Sequence, residues 1–377
     1  MSARIEHRER SGFLSRLTAA ARGVATLALA GALGAAAVGC GGGVETFSDQ
    51  PQGDIATRAW FWIPETAGAV VTGNLAQLKQ SLPSETEMME RALKTHALLS
   101  PAVKASNLDL MQGLEDVAVG LWPPATEGVE NLSNVRPDVL IVAKWKMDLR
   151  KFIETLVKSL EMNQGPEKPP IIERVELDGV EAWRGYFAPA PPGAKKIARQ
   201  AIAPWDESSG VYAAQLGDFI LIASKEAILR QALALEKRPQ DALAHQDICH
   251  QALRHIDQKS AAIWGIDIRL FPGLAPTKLK TAFLDLGDPI RISIMMEGYN
   301  AEMAKLLREV FISWRMMLSK STDDLRIVEG WNLASVGNKV ILLVEYERDT
   351  WEDILRREKQ RQFEPYGGMR PLKPGRP

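Results

Sequence analysis

Side chains able to bind a soft metal ion gather once in this sequence, at His245, Cys249, His250 and His255, with Asp247 and Asp257 interleaved. A structural zinc requires four tetrahedral ligands of nitrogen or sulfur. If residues 244–256 form a helix, His245 and Cys249 stand one turn apart on one face, while His250 and His255 point to other sides. Such a helix supplies two ligands of the four. The expectation is therefore a connecting helix packed through Ile248, Leu253 and Ile256, with no metal and no other cofactor; His245 and Cys249 are the one pair that a metal could share. Cys249 reads as a small buried hydrophobe rather than a reactive thiol.

Other patterns that carry chemistry are missing. The sequence has no glycine-rich phosphate loop, no paired-histidine zinc motif and no Gly-x-Ser-x-Gly elbow. No catalytic residue is named, and a non-enzymatic role is the preferred reading over an enzyme with an unrecognised site. One long loop, residues 188–210, carries Pro189, Pro191 and Pro192, then Lys195, Lys196 and Arg199, and finally Trp205. Loops of that length in a compact domain are usually functional or disordered. It reads first as a solvated hairpin insertion; the alternative is contact with a partner or surface, with the basic side chains steering and Trp205 anchoring.

The elements that must position these residues follow from patterning. Residues 214–222 and 334–342 each read as an apolar strand, a Gly-Asp or Gly-Asn turn and a second apolar strand, the mark of a β-hairpin. A helical segment follows each, at 225–235 and 350–360. Upstream, Val139–Val142 leads through Asp148 into a helix over 149–160, as Ile292–Met295 leads through Asn300 into a helix over 301–319. Asp148 and Asn300 are predicted N-caps, because a short polar side chain satisfies amides that the first turn leaves free. Still earlier, Val70–Asn74 parallels Ile263–Asp267 as a first strand. Two related units result, 58–235 and 260–360, joined by a helical connector over 236–259. Unit one also holds an Asp178-Gly179 hairpin and a largely helical stretch over 84–114, opened by a Ser84-x-x-Glu87 capping box and broken at Pro101. Strands, hairpins and helices in this order predict an α+β fold: two related units of mostly antiparallel sheet with helices packed on one face.

Ten tryptophans stand against five tyrosines. Trp145, Trp183, Trp264 and Trp331 fall in predicted strands and are expected to pack there. Trp60 and Trp62 follow a glycine-rich stretch over 41–57 that reads as a flexible tether, a place where tryptophans suit a membrane interface. The tail over 361–377, rich in proline and glycine, is expected to be disordered.

Cys40 gives the tether its meaning. Arg4, Arg8, Arg10, Arg16 and Arg22 precede a run over 23–39 made only of Gly, Ala, Val, Leu and Thr. A charged region followed by a short apolar one is the layout of an export signal, and the run is too short and weakly apolar for the roughly 20 residues of a spanning helix. Ala37-Val38-Gly39-Cys40 resembles the lipobox of bacterial lipoproteins, with Ala37 where leucine is usual. The resemblance implies cleavage of residues 1–39 and lipidation of Cys40, which becomes the new N-terminus. Gly41 in place of aspartate implies the outer membrane, facing the periplasm, in a host with two membranes. The alternative, an uncleaved anchor helix, also ties the chain to a membrane.

With the signal removed, 41 basic and 45 acidic residues remain, a net charge of about −4 that argues against nucleic acid. If Cys40 carries lipid, Cys249 has no partner for a disulfide. The strand, capped helix, hairpin and helix order, repeated behind an export signal, resembles envelope-anchored bacterial proteins with duplicated domains of unknown function. The expected role is binding of a protein or envelope component. A carrier of an apolar ligand, lined by Met303, Met316 and Met317 on its amphipathic helices, is the alternative.

Overall fold

The computed structural model describes residues 46–53, 57–83, 99–109, 113–123, 137–164, 172–185, 210–268, 277–318 and 330–363, together with 87, 90, 91, 94 and 95. In chain order its elements are β1 (Ala69–Asn74), α1 (Leu75–Ser81), α2 (Ser100–Ala105), β2 (Leu114–Trp122), β3 (Asp138–Trp145), α3 (Leu149–Gln164), β4 (Ile172–Leu177), β5 (Val180–Gly185), β6 (Val211–Leu216), β7 (Phe219–Ala223) and α4 (Glu226–Ala234). Then follow α5 (Asp247–Leu253), β8 (Ala261–Asp267), β9 (Thr277–Asp285), β10 (Ile290–Gly298), α6 (Ala301–Leu318), β11 (Trp331–Val336), β12 (Lys339–Tyr346) and α7 (Arg348–Phe363). The fold is α+β, as the sequence predicts.

Local chemistry explains the element boundaries. The Asp148 carboxylate accepts from the Lys151 amide at 2.9 Å and the Asn300 side chain accepts from the Met303 amide at 2.9 Å, so both caps form. Gly217 and Gly337 adopt φ of +56° and +60° in two-residue turns, the left-handed first position that glycine fills at no steric cost. Asp178 and Gly179 both take positive φ, which completes the β4–β5 hairpin. Pro101 sits in the first turn of α2 and so opens a helix instead of breaking one, since its missing N–H is unneeded there.

All twelve strands join one sheet in the order β11-β12-β10-β9-β8-β1-β2-β3-β7-β6-β5-β4, and every neighbouring pair is antiparallel. The five strands β8 to β12 meet the seven strands β1 to β7 at the β1–β8 pair, with Thr72 opposite Trp264. From there β1-β2-β3-β7-β6 runs one way and β8-β9-β10-β12-β11 the other, so each half places a three-strand meander before a hairpin. Strands β2 and β9 belong to these meanders and were not legible in the sequence.

Side chains alternate between the two faces of the sheet. On one face Trp60, Trp62, Leu140, Leu221, Leu229, Cys249, Leu253, Trp264 and Phe283 form a single buried cluster under the 3₁₀ turn Ala59–Trp62, α4 and α5. The other face carries α3 over Ile220 and Trp183, α1 over Ile263, and α6 over Ile292 and Ile294. Trp60 and Trp62 are thus buried, at 0% and 5% exposure, and do not reach a membrane interface. Their apolar area is worth more between the sheet and α4 than against headgroups.

Residues 46–53 correct the tether expected over 41–57. Phe47 donates its amide to the Arg254 carbonyl at 2.9 Å and stands edge-on to Phe283, with ring centroids 6.1 Å apart. Asp49 pairs with Arg254 at 2.8 Å, and Gln258 bonds Gln52 N and Gln50 O, each at 3.1 Å. One large apolar side chain, Phe47, is enough to dock an otherwise polar stretch.

Candidate functional site

A buried cluster of ionisable groups lies at one end of the second half, where β10 stops and the β11–β12 turn begins. Glu297 is the single acid in the apolar run Ile290–Gly298, and pairing places it between Leu279 of β9 and Lys339 of β12. It is buried, at 7% exposure. A buried carboxylate needs partners, and three groups supply them. Lys278 Nζ and Lys339 Nζ lie 3.4 and 3.7 Å from its oxygens, and Asn338 Nδ2 donates to Oε1 at 3.3 Å. The same Asn338 amide donates to Gly298 O at 2.9 Å, while Gly298 N donates to Asn338 O at 2.8 Å, locking the two turns together. A Cβ at Gly298 would stand 3.0 Å from Met303 Cβ and 3.2 Å from Ala304 N, a tight fit at the start of α6.

His255 closes the cluster from the connector. Lys339 Nζ donates to its Nε2 at 3.0 Å, so the ring is neutral with its proton on Nδ1. Burial first, and the Lys339 charge second, push this imidazole down to about 4, with Glu297 opposing. Two lysines against one carboxylate and a neutral imidazole leave one surplus positive charge. Near it Tyr299 is 66% and Val336 58% exposed, on the two segments that Gly298 and Asn338 join. An exposed aromatic beside backed lysines is suited to holding a partner.

The one pair that a metal could share, His245 and Cys249, is not brought onto one helix face. Helix α5 begins at Asp247, so His245 lies in a separate 3₁₀ turn, exposed and edge-on to Phe61 at 5.7 Å. Cys249 is fully buried in the core, with its thiol pushed up to about 12 by that burial. The expected helix over 244–256 would have aligned them; a break at Gln246 turns them apart. Among the described residues no group of three or more His, Cys, Asp or Glu is placed to hold a metal ion. In the native protein Cys249 is expected to resist maleimide at pH 8 and to react at the rate of unfolding; labelling within seconds would contradict the buried placement.

Cys40, the loop residues Lys195, Lys196, Arg199 and Trp205, and Met317's side chain lie outside the described residues. Met316 is 61% exposed and Met303 half-buried, whereas Ala304, Leu307 and Phe311 press α6 onto the sheet, so Met316 does not line an interior space. A crevice of about 270 Å³ runs between Glu65, Thr66, Ala67, Leu243, Gln246 and Ile268, and its acid is occupied by Gln246 at 2.7 Å. Among the described residues no helix is long and apolar enough to cross a membrane. The Glu297 cluster was missed in the sequence, although a lone acid in an apolar strand is a usable signal.

No family model and no curated protein matches the chain. Among solved structures it is similar to TP0453, a Treponema protein: crystal form III at a TM-score of 0.38 and 8% identity, covering 79% of this chain and 98% of that one, and crystal form I at 0.35 and 7%, covering 80% and 97%.

Proposed function

We propose that this chain is a lipid-anchored envelope protein, held through Cys40 in the outer membrane and facing the periplasm, that binds a protein or envelope component without catalysing a reaction. The observation that carries the binding role is the surface of Tyr299 and Val336, exposed beside Lys278 and Lys339 and rigidly backed by Glu297 and Asn338. Exposed aromatic and apolar groups on a rigid support lose little entropy when a partner covers them. The anchoring role is supported by the lipobox-like residues before Cys40 and by the docking of Phe47. Six residues lie between the two, a reach of at most about 25 Å, so a lipid on Cys40 would keep the Arg254 and Phe283 side of the molecule near the headgroups. The matching strand order of the two halves supports a duplicated unit. Lys195, Lys196, Arg199 and Trp205 are retained as a second proposed contact.

A Cys40→Ser variant tests the anchor, and a photo-reactive residue at Tyr299 tests the surface. The variant is expected to move from the membrane to the soluble fraction while keeping its fold, and the Tyr299 probe is expected to form adducts in intact cells. Retention of the serine variant in the membrane would favour the uncleaved helix. Failure of the probe to form adducts would remove the binding surface.

A further inference from the structure

We infer that strand β11 is a self-association edge, which pairs antiparallel with β11 of a second copy about a two-fold axis at Leu333. The inference deepens the binding role proposed above by naming a partner, and rests on it. Among the described residues the sheet ends at β4 on one side and at β11 on the other. Open edges expose unpaired backbone groups, and proteins that remain monomeric guard them with charge or proline. Edge β4 is guarded: Glu173, Arg174 and Glu176 take three of its six positions, with Arg174 paired to Glu181 and Glu173 to Arg184. Edge β11 reads Trp-Asn-Leu-Ala-Ser-Val, with neither charge nor proline. In the first half the corresponding strand, β6, is covered by the β4–β5 hairpin; no described strand covers β11.

Register selects the partner. Val336 and Lys339 flank the two-residue turn, and Glu345 N donates to Gly330 O at 3.0 Å. Residues 330, 332, 334 and 336 therefore direct their backbone groups at β12, and Trp331, Leu333 and Ser335 direct theirs outward. A two-fold axis normal to the sheet and centred on Leu333 sets Trp331 opposite Ser335 of the second copy and Leu333 opposite itself. Each outward N–H and C=O then meets a complementary group, giving three hydrogen-bonded residue pairs. Both faces of the sheet continue across the join without like charges facing each other. Beside the edge, Ala334, Ile341 and Leu343 are only half-buried, so a neighbouring strand extends an apolar face that is already present. Pairing β11 to β4 would instead be head-to-tail and open-ended. Two six-residue strands bury an area at or below the low end of about 1,200 Å² for specific complexes. The pairing should thus form where anchoring concentrates the copies in a membrane plane, and dissociate on dilution.

The test uses the full chain in its membranes. Leu333→Cys treated with a short bis-maleimide is expected to give a covalent dimer above the wild-type background, Cys249 being buried. Val336→Cys, which is not opposite itself, should give at most a tenth of that yield. Adding Ser335→Pro removes an outward N–H while sparing the β12 ladder, and should abolish the Leu333→Cys dimer with the melting temperature little changed. A photo-reactive residue at exposed Ser335 gives a readout that does not depend on replacing Leu333, and its adduct should fall on the peptide holding Trp331. Absence of both products from folded protein, equal dimer yields from both cysteines, or adducts with a different protein would overturn the inference. Fractionation of Cys40→Ser in parallel separates this outcome from failure of the anchor.

Discussion

Replacing Trp60 with alanine is expected to destabilise the fold by about 3–5 kcal/mol, the range for removing a large aromatic from a core. The residue is 0% exposed, its ring 4.9 Å from Phe61 and edge-on to Trp264 at 5.0 Å. Trp264 lies on β8 and pairs with Thr72 of β1. Trp60 therefore covers the seam where the two halves of the sheet meet. Neither the short 3₁₀ turn nor the sheet beneath it can collapse to refill so large a volume, because the turn is tied at Ala59 N to the buried Asp116 carboxylate at 2.7 Å. Denaturant unfolding followed by circular dichroism measures the effect. A loss below about 1.5 kcal/mol would mean that the seam is not a tightly packed core.

Acid should weaken the protein through His255. Its folded-state pKa of about 4 lies below the ordinary 6.5, so as pH falls the unfolded chain takes up this proton first. The stability from keeping the imidazole neutral is complete above about pH 6.5 and is lost between there and about 4. At 1.36 kcal/mol per pKa unit the group accounts for about 3 kcal/mol across that window. Protonation would also set an imidazolium against the Lys339 ammonium 3.0 Å away, with Glu297 as the one nearby anion to offset it. The variant His255→Gln keeps an acceptor for Lys339 but cannot titrate. It should match the parent at pH 7.5 to within about 1 kcal/mol and lose most of the pH slope from 6.5 to 4. An unchanged slope in the variant would assign the acid sensitivity to other groups.

These two residues also show where sequence reading stops. In the sequence His255 stands as a metal-type ligand on a connecting helix, on a different side from His245 and Cys249. Its actual partner, Lys339, is 84 positions away and arrives through β12. Trp60 stands beside a glycine-rich stretch, where the sequence allows a membrane contact; the cluster that buries it includes Trp264, Phe283 and Met295, from strands far along the chain. Strands β2 and β9 alternate buried and partly exposed side chains, and each is paired on both sides within the sheet.

What the sequence by itself determined is the local structure that a few neighbouring residues control. Asp148 and Asn300 cap their helices, and Gly217 and Gly337 turn their hairpins, because the amides to be satisfied and the positive φ to be adopted lie within three residues. The α+β class follows from the order of those elements. Only the tertiary structure decided that the first strands of the two halves pair into one sheet, that Phe47 docks on Phe283, and that Glu297 gathers Lys278, Asn338, Lys339 and His255. Each is a contact between distant segments, selected by burial of apolar area and by the need of a buried charge for partners. Neither requirement leaves a mark at fixed spacing in the chain.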